Sequence, residues 1–411
     1  MKKEERLILD NASVLDTISG KMLPDCRVII KEGIIEKVEP AGGLLPEKPC
    51  KIIDLSGKTL MPGLCDAHVH VTAWTADLHE LKVSSPFYTA VRSAGILEDM
   101  LMRGFTTVRD EGGADYGLVQ AVNEGYIKGP RVLFCGHALS TTGGHGDSRK
   151  RGEENFEGIS PVVDFGRICD GIAEVRRACR DEIRKGANHI KLLVSGGVVS
   201  PTDRITNQQF SDDEVLAAVD EAAMAGLYCS AHAYTKEAVN RCLKCGVKSF
   251  EHCNLIDERS AELLVKYGAF MVPTLSIYNF LESEGTYSGE IISKLSEVKD
   301  KGVKALELAF KAGVKIAYGT DLLGSLHKNQ LHEFALRASV QLPIDVIRSA
   351  TCIAAELFNE KGKSGVVAKG ARADLLVVDG NPTKDLKYLQ DPEKYLAAII
   401  KDGNFYKNNL Q

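Results

Sequence analysis

The feature that most limits what this chain can fold into is a regular exchange of short apolar runs with helix-like stretches. Eight runs in the central part read as strands: Leu64 to His70, Phe105 to Arg109, Arg131 to Cys135, His189 to Val194, Leu227 to His232, Lys248 to His252, Ala269 to Pro273 and Lys315 to Asp321. Helical patterns lie between them, as expected of parallel strands joined by crossover helices. Eight strands in this order predict an α/β fold, a (β/α)8 barrel over residues 62–365. Several helix ends are readable. Ser211-Asp-Asp-Glu214 is a capping box, Asp257 caps a helix that Gly268 ends, and Pro343 suits the first turn of a helix over Ile344 to Phe358.

The chain ends have a different texture. Leu7-Ile-Leu, Arg27-Val-Ile-Ile, Gly33-Ile-Ile-Glu-Lys-Val and Lys51-Ile-Ile-Asp-Leu are short strands between turns, and the segments beginning at Ala373 and Ala397 repeat the pattern. Residues 1–61 and 366–411 are therefore expected to build one small β-sandwich around the inserted barrel, since chain ends often lie close together. The stretch from Gly136 to Asp170, rich in Gly, Ser, Thr and charge, is too long for a simple turn, and long loops in compact domains usually serve function or are disordered. A second polar stretch, Tyr278 to Gly289, follows the seventh strand and is expected to border the same face.

Composition excludes several classes of function. With 411 residues, 44% apolar and 26% charged, the chain has ordinary globular values and room for a large core. It contains no run of about 18 apolar residues that would span a bilayer, and Met1-Lys-Lys-Glu-Glu-Arg is followed by too short and polar a segment for a signal peptide. A net charge of -5 gives no basic surface for a polyanion, so neither nucleic acid nor membrane is expected as a partner. Eleven scattered cysteines fit reduced thiols in a cytoplasmic enzyme. Cys242-Leu-Lys-Cys245 falls in a helical pattern without a second pair and is read as structural. A homo-oligomer is compatible with all of this.

The ends of the predicted strands carry the chemistry. In a parallel barrel the C-terminal strand ends share one rim, so residues far apart in sequence meet there. His68 and His70, two apart, face the same side of the first strand. Lys191 belongs to the fourth, His232 closes the fifth, His252 the sixth and Asp321 the eighth. Imidazoles and a carboxylate are ligands for divalent metals, and five such residues exceed one tetrahedral site, so two ions use them better. A protonated lysine between two dications is electrostatically unfavourable. A carbamate of Lys191, formed with carbon dioxide, would instead offer negative charge and two bridging oxygens.

The segments Pro62-Gly-Leu-Cys-Asp-Ala-His68-Val-His70, Ile190-Lys191, Ser230-Ala-His232-Ala-Tyr234, Phe250-Glu-His252 and Tyr318-Gly-Thr-Asp321 together resemble the amidohydrolase superfamily. Within it the chain is most similar to the binuclear zinc prolidase-like and arginine-carboxypeptidase-like dipeptidases, related to imidazolonepropionase. The resemblance implies one metal on His68, His70, N6-carboxylated Lys191 and Asp321, and a second on Lys191, His232 and His252. Zinc suits the imidazole-rich set best; manganese and cobalt also fit. It implies a metallopeptidase in which a metal-bridging hydroxide attacks an amide of a dipeptide or N-acyl amino acid, with Asp321 moving the proton. It also implies that His145, in Thr142-Gly-Gly-His145-Gly-Asp147, and Tyr234 hold the substrate's free α-carboxylate. The competing readings are a cyclic-amide or aryl-amide hydrolase, as in imidazolonepropionase, and a non-catalytic scaffold, which would be expected to lack several ligands. His79, His137, His189, His327 and His332 fall outside the strand-end pattern and are read as surface or satisfied buried histidines. Arg109 and Asp110 are read as support for the site or as a structural ion pair, and Trp74, Phe87 and Tyr88 as pocket lining or packing.

Overall fold

The computed structural model describes residues 6–44, 49–149, 152–153, 164–200, 202–282 and 289–410. All eight predicted central strands form: Leu64–Val69 (β1), Phe105–Asp110 (β2), Arg131–Phe134 (β3), Ile190–Leu193 (β4), Cys229–Thr235 (β5), Ser249–Leu255 (β6), Phe270–Val272 (β7) and Lys315–Ile316 (β8). β1 to β3 make one parallel sheet and β4 to β8 another, the latter extended by short strands at Ala138–Ser140 and Gly166–Ile168. Backbone bonds join the sheets at both margins: the Ala67 N–H reaches the Tyr318 carbonyl at 2.7 Å, and the Asn188 N–H the Phe134 carbonyl at 2.8 Å. This is a parallel α/β arrangement of the TIM-barrel type.

Strand alternation sorts the side chains. Ile190 and Leu192 point outward into an apolar cluster with Val175 and Cys179 of helix Ile172–Arg184 and Val215 and Ala218 of helix Asp212–Met224. Lys191, between them, is 2% exposed and lines the cavity at the strand ends. Burying each such aliphatic side chain stabilises the fold by roughly 1.5–3 kcal/mol relative to exposure, so the outer layer holds the strands that aim the polar residues inward.

Both chain ends enter one eight-stranded sheet. Its centre is Thr59–Pro62, antiparallel to Leu375–Val378 and parallel to Arg6–Asp16. Leu60, Leu375, Val377 and Ile400 face one apolar cluster with Leu9, Val28 and Ile30. Met61, Leu376, Val378 and Ile399 face the opposite way, against Leu97, Leu101 and Phe105 of the barrel layer.

The capping box at Ser211 and Glu214 forms, and the Asp257 side chain accepts from the Ser260 N–H. Elsewhere local expectations need correction. The single helix expected over Ile344 to Phe358 is two, Pro343–Ser349 and Cys352–Leu357. The Thr351 hydroxyl donates back to the Ile347 carbonyl at 2.7 Å, and the Ala350 carbonyl accepts the Cys65 N–H of β1 at 2.7 Å instead of continuing the helix. The eighth strand stops at Ile316, because the following backbone turns to the margin of β1, where the Asp321 N–H meets the His68 carbonyl at 2.8 Å. The polar stretch from Tyr278 begins as the end of helix Leu275–Leu281, with Tyr278 buried; residues 283–288 lie outside the described residues. The long loop after β3 is partly ordered by the two short strands above, and its residues 150–151 and 154–163 also lie outside the described residues.

Candidate functional site

The six strand-end residues converge on one cavity of about 570 Å³, lined by His68, His70, Lys191, His232, His252 and Asp321 together with His145 and Tyr234. Each imidazole is held by one nitrogen. His68 Nδ1 lies 2.9 Å from Glu251 Oε2, His70 Nδ1 2.9 Å from the Gly112 carbonyl, His252 Nδ1 2.7 Å from Thr274 Oγ1 and His232 Nε2 3.2 Å from the Gly196 carbonyl. The other nitrogen of each is left for the cluster. Asp321 Oδ1 sits 3.3 Å from His68 Nε2 and 3.2 Å from His70 Nε2. His252 and Asp321 have φ of 75° and 56°. Such left-handed geometry is uncommon for non-glycine residues and clusters where function fixes the backbone.

Lys191 Nζ lies 2.7 Å from Glu111 Oε2, with Glu111 fully buried beneath it. Arg109 stands between Glu111 at 3.0 Å and Glu251 at 2.8 Å and donates to the Ala67 carbonyl. His189 Nε2 completes the group at 2.9 Å from Glu111. Asp110 turns the other way and accepts the backbone N–H groups of Val71, Gly112 and Ala114. Arg109 and Asp110 thus support the rim.

Electrostatics separate the members. Burial, with His145, His252 and Lys191 nearby, holds His232 well below the usual imidazole range; burial likewise holds His252 well below it, against the pull of Asp321. Burial opposes a proton on His68 too, but Asp321 outweighs it and the imidazole is pushed up to about 9. Burial also opposes charge on Asp321, yet His68 and His70 hold its carboxyl well below the ordinary range.

This donor set fits a divalent metal ion. Ligand atoms of His68, His252 and Asp321 lie within 4.8 Å of one another; neutral His252 and ionised Asp321 are in metal-binding form, and an ion bound there would displace the proton of His68. His68, Glu111 and Glu251 also come within that spacing, but Arg109 already compensates the two carboxylates.

His145 stacks on His232 at 4.2 Å between ring centroids, and a Cβ at Gly197 would overlap its ring, so glycine is needed there. The Tyr234 ring stacks on His252 at 5.0 Å. Val198, Val199, Ile277, Leu281 and Ile291 form an apolar wall beside them. Of the histidines set aside, His189 and His327 are buried with partners, His137 pairs with Glu182, and exposed His79 reaches the cavity mouth. Trp74 packs on Tyr88 and donates to Thr89, and Phe87 is exposed; none lines the cavity. Sequence reasoning missed Glu111, Glu251, Thr274 and Tyr278. The signal for Glu111 was present in Arg109-Asp110-Glu111, a charged run closing an otherwise buried strand.

A parallel α/β scaffold with buried imidazoles, a lysine and a carboxylate at its strand ends defines a hydrolase class. The model of the amidohydrolase family matches residues 59–404, and the chain belongs to that family. It is 44% identical to a prolidase solved in complex with N-methylphosphonate-L-proline, over 98% of this chain and 100% of that one, with a TM-score of 0.94. A Xaa-Pro dipeptidase with methionine bound in its active site is 28% identical over 98% of this chain and 100% of its own, with a TM-score of 0.88. Ochratoxinase of Aspergillus niger is 32% identical over 98% of this chain and 87% of its own length.

Proposed function

We propose that this amidohydrolase is a binuclear metal-dependent peptidase that cleaves the amide of dipeptides or N-acyl amino acids bearing a free C-terminal carboxylate. The observation that carries this reading is the meeting, in one cavity, of His68, His70, Lys191, His232, His252 and Asp321 with His145 and Tyr234. His68, His70 and Asp321 would hold one ion, His232 and His252 the other, and N6-carboxylated Lys191 would lie between them. Two divalent ions, zinc by preference of the imidazoles, would supply an acidified water and polarise the scissile carbonyl.

The chain's own side chains do the rest. The Asp321 carboxylate takes the proton from the attacking water and delivers it to the leaving amine. His145 and Tyr234 orient the substrate by donating to its carboxylate. The wall formed by Val198, Val199, Ile277, Leu281 and Ile291 excludes bulk water and strengthens those bonds. We read the scaffold as a closed barrel over residues 62–365 with a β-sandwich from residues 1–61 and 366–411. The eleven unpaired cysteines support a cytoplasmic setting, and no helix among the described residues is long and apolar enough to cross a membrane.

The test is to amidate the C-terminus of a good dipeptide substrate, which leaves the scissile bond intact and removes the anion. A charge-assisted hydrogen bond is worth about 1.5–3 kcal/mol, so kcat/KM should drop at least about tenfold per bond lost. Equal cleavage of acid and amide would end the carboxylate reading and favour a cyclic-amide or aryl-amide substrate.

A further inference from the structure

One buried amide ties together the two loops that meet at the His145 ring. Gln209 Oε1 accepts the His145 N–H at 3.0 Å, and Gln209 Nε2 donates to Asp203 Oδ2 at 2.8 Å. Asp203 Oδ1 in turn accepts the Gly197 N–H at 3.3 Å and the Ser200 hydroxyl. Gly197 is the residue on which the His145 ring lies, since a Cβ there would come within 1.9 Å of His145 Nδ1. The same amide therefore fixes the backbone of His145 and, through Asp203, the glycine beneath its ring. Gln209, Asp203 and Ser200 are all buried, so water does not compete for these bonds.

Gln209 is itself held at both ends of its backbone. Its N–H donates to the Val194 carbonyl, just beyond β4, at 3.0 Å, and its carbonyl accepts from Arg241 Nη2 at 3.0 Å. The approach to His145 needs space, and Gly144 leaves it: a Cβ there would stand 2.8 Å from Gln209 Oε1. The two partners also narrow the residue type. A backbone N–H only donates and a carboxylate only accepts, so the side chain between them must offer one acceptor and one donor, which an amide does and a carboxylate does not. His145 lines the cavity, whereas Gln209 and Asp203 stand behind it.

We propose that Gln209 and Asp203 are positioning residues that hold the His145 ring in place for its grip on the substrate's carboxylate. This rests on the carboxylate-holding role proposed for His145. Neither residue touches the substrate; both act through His145, so a substrate that lacks the anion should be cleaved equally well without them.

The experiment compares Gln209→Met, Gln209→Glu, Asp203→Asn and the exchange variant that carries the last two together, with His145→Ala as reference, in the metal-loaded enzyme. Steady-state rates are measured on a good dipeptide and its C-terminal amide, and thermal unfolding reports folding. Gln209→Met should raise KM on the free acid by about three- to tenfold, the scale of one hydrogen bond, with kcat nearly unchanged and the amide unaffected. Gln209→Glu should raise it by more than Gln209→Met does, because two buried carboxylates then face each other. The exchange variant gives His145 its acceptor again and puts a donor on residue 203 opposite an acceptor on residue 209, so KM should return to near the wild-type value. In the His145→Ala background Gln209→Met should cost nothing further. Equal losses on acid and amide, or an exchange variant no better than Gln209→Glu alone, would overturn the positioning role. If Gln209→Glu or the exchange variant does not fold, Gln209→Met alone and in the His145→Ala background decides the matter. A silent His145→Ala would instead remove the carboxylate role on which the inference stands, which separates the two failures.

Discussion

In the terminal sheet, Leu9, Val28, Ile30, Leu375 and Ile400 fill the space between strands with apolar side chains alone, whereas beneath the cavity the strands turn Arg109, Glu111, His189, Lys191 and Glu251 toward one another. The first interior is stabilised by transfer from water, which is non-directional and tolerates small changes in shape. The second needs every charge to have its partner. Burial opposes ionisation of Glu111, yet Arg109, Lys191 and His189 outweigh it and hold that carboxyl well below the ordinary range. A buried charge network of this kind is a weak source of stability. It does aim Lys191 and His68 at the cavity.

The largest effect should come from breaking that network at its centre. Arg109→Met leaves Glu111 and Glu251 buried without their shared cation and should destabilise the protein by roughly 3–5 kcal/mol, read from urea unfolding. A loss below about 1 kcal/mol would mean that other groups neutralise the two carboxylates.

Glu333 tests the same contrast through pH. It is fully buried, accepts from the backbone and hydroxyl of Ser276 at 2.8 Å, and is pushed by burial from 4.5 up to about 7. Between those values the folded protein keeps a proton that the unfolded chain has lost. Stability from this group is therefore present at low pH and declines as pH rises toward 7, by on the order of 3 kcal/mol at most. Glu333→Gln should flatten that part of the pH–stability curve. If wild type and variant lose stability in parallel between these pH values, the raised carboxyl is not what titrates.

In the apolar interior, Ile30→Val should cost only about 0.5–1.5 kcal/mol and leave the activity per folded molecule untouched. A fall in specific activity would show that the terminal sheet shapes the site. The smallest effect belongs to exposed charge: Lys311 and Glu307 pair in successive turns of helix Gly289–Ala312, and Lys311→Ala should leave the unfolding midpoint within measurement error, because such pairs are screened by water.

Much of the fold was readable because the signals were local. The eight central strands and the caps at Ser211 and Asp257 follow from periodicity and short-range hydrogen bonding. The break at Ala350 and Thr351 was not readable, because the Ala350 carbonyl is taken by Cys65, far away in sequence. The helical, buried setting of Tyr278 was missed for the same reason. Its stretch is polar on paper, while its burial depends on partners from other strands and helices.

For the site, the sequence by itself determined the residue types and their places at strand ends: His68 and His70 on one face of β1, and Lys191, His232, His252 and Asp321 each at a separate strand or its continuation. Alternation along a strand and the parallel order of strands are sequence properties, so convergence on one rim followed from them. Only the tertiary structure decided which nitrogen of each imidazole is engaged, that Glu111 and Glu251 stand behind Lys191 and His68, and that Thr274 meets His252 while Tyr278 meets Tyr234. Those facts depend on distances of a few ångströms between strands far apart in the chain. A hydrogen bond is sensitive to distance and angle on that scale, and no local pattern encodes it.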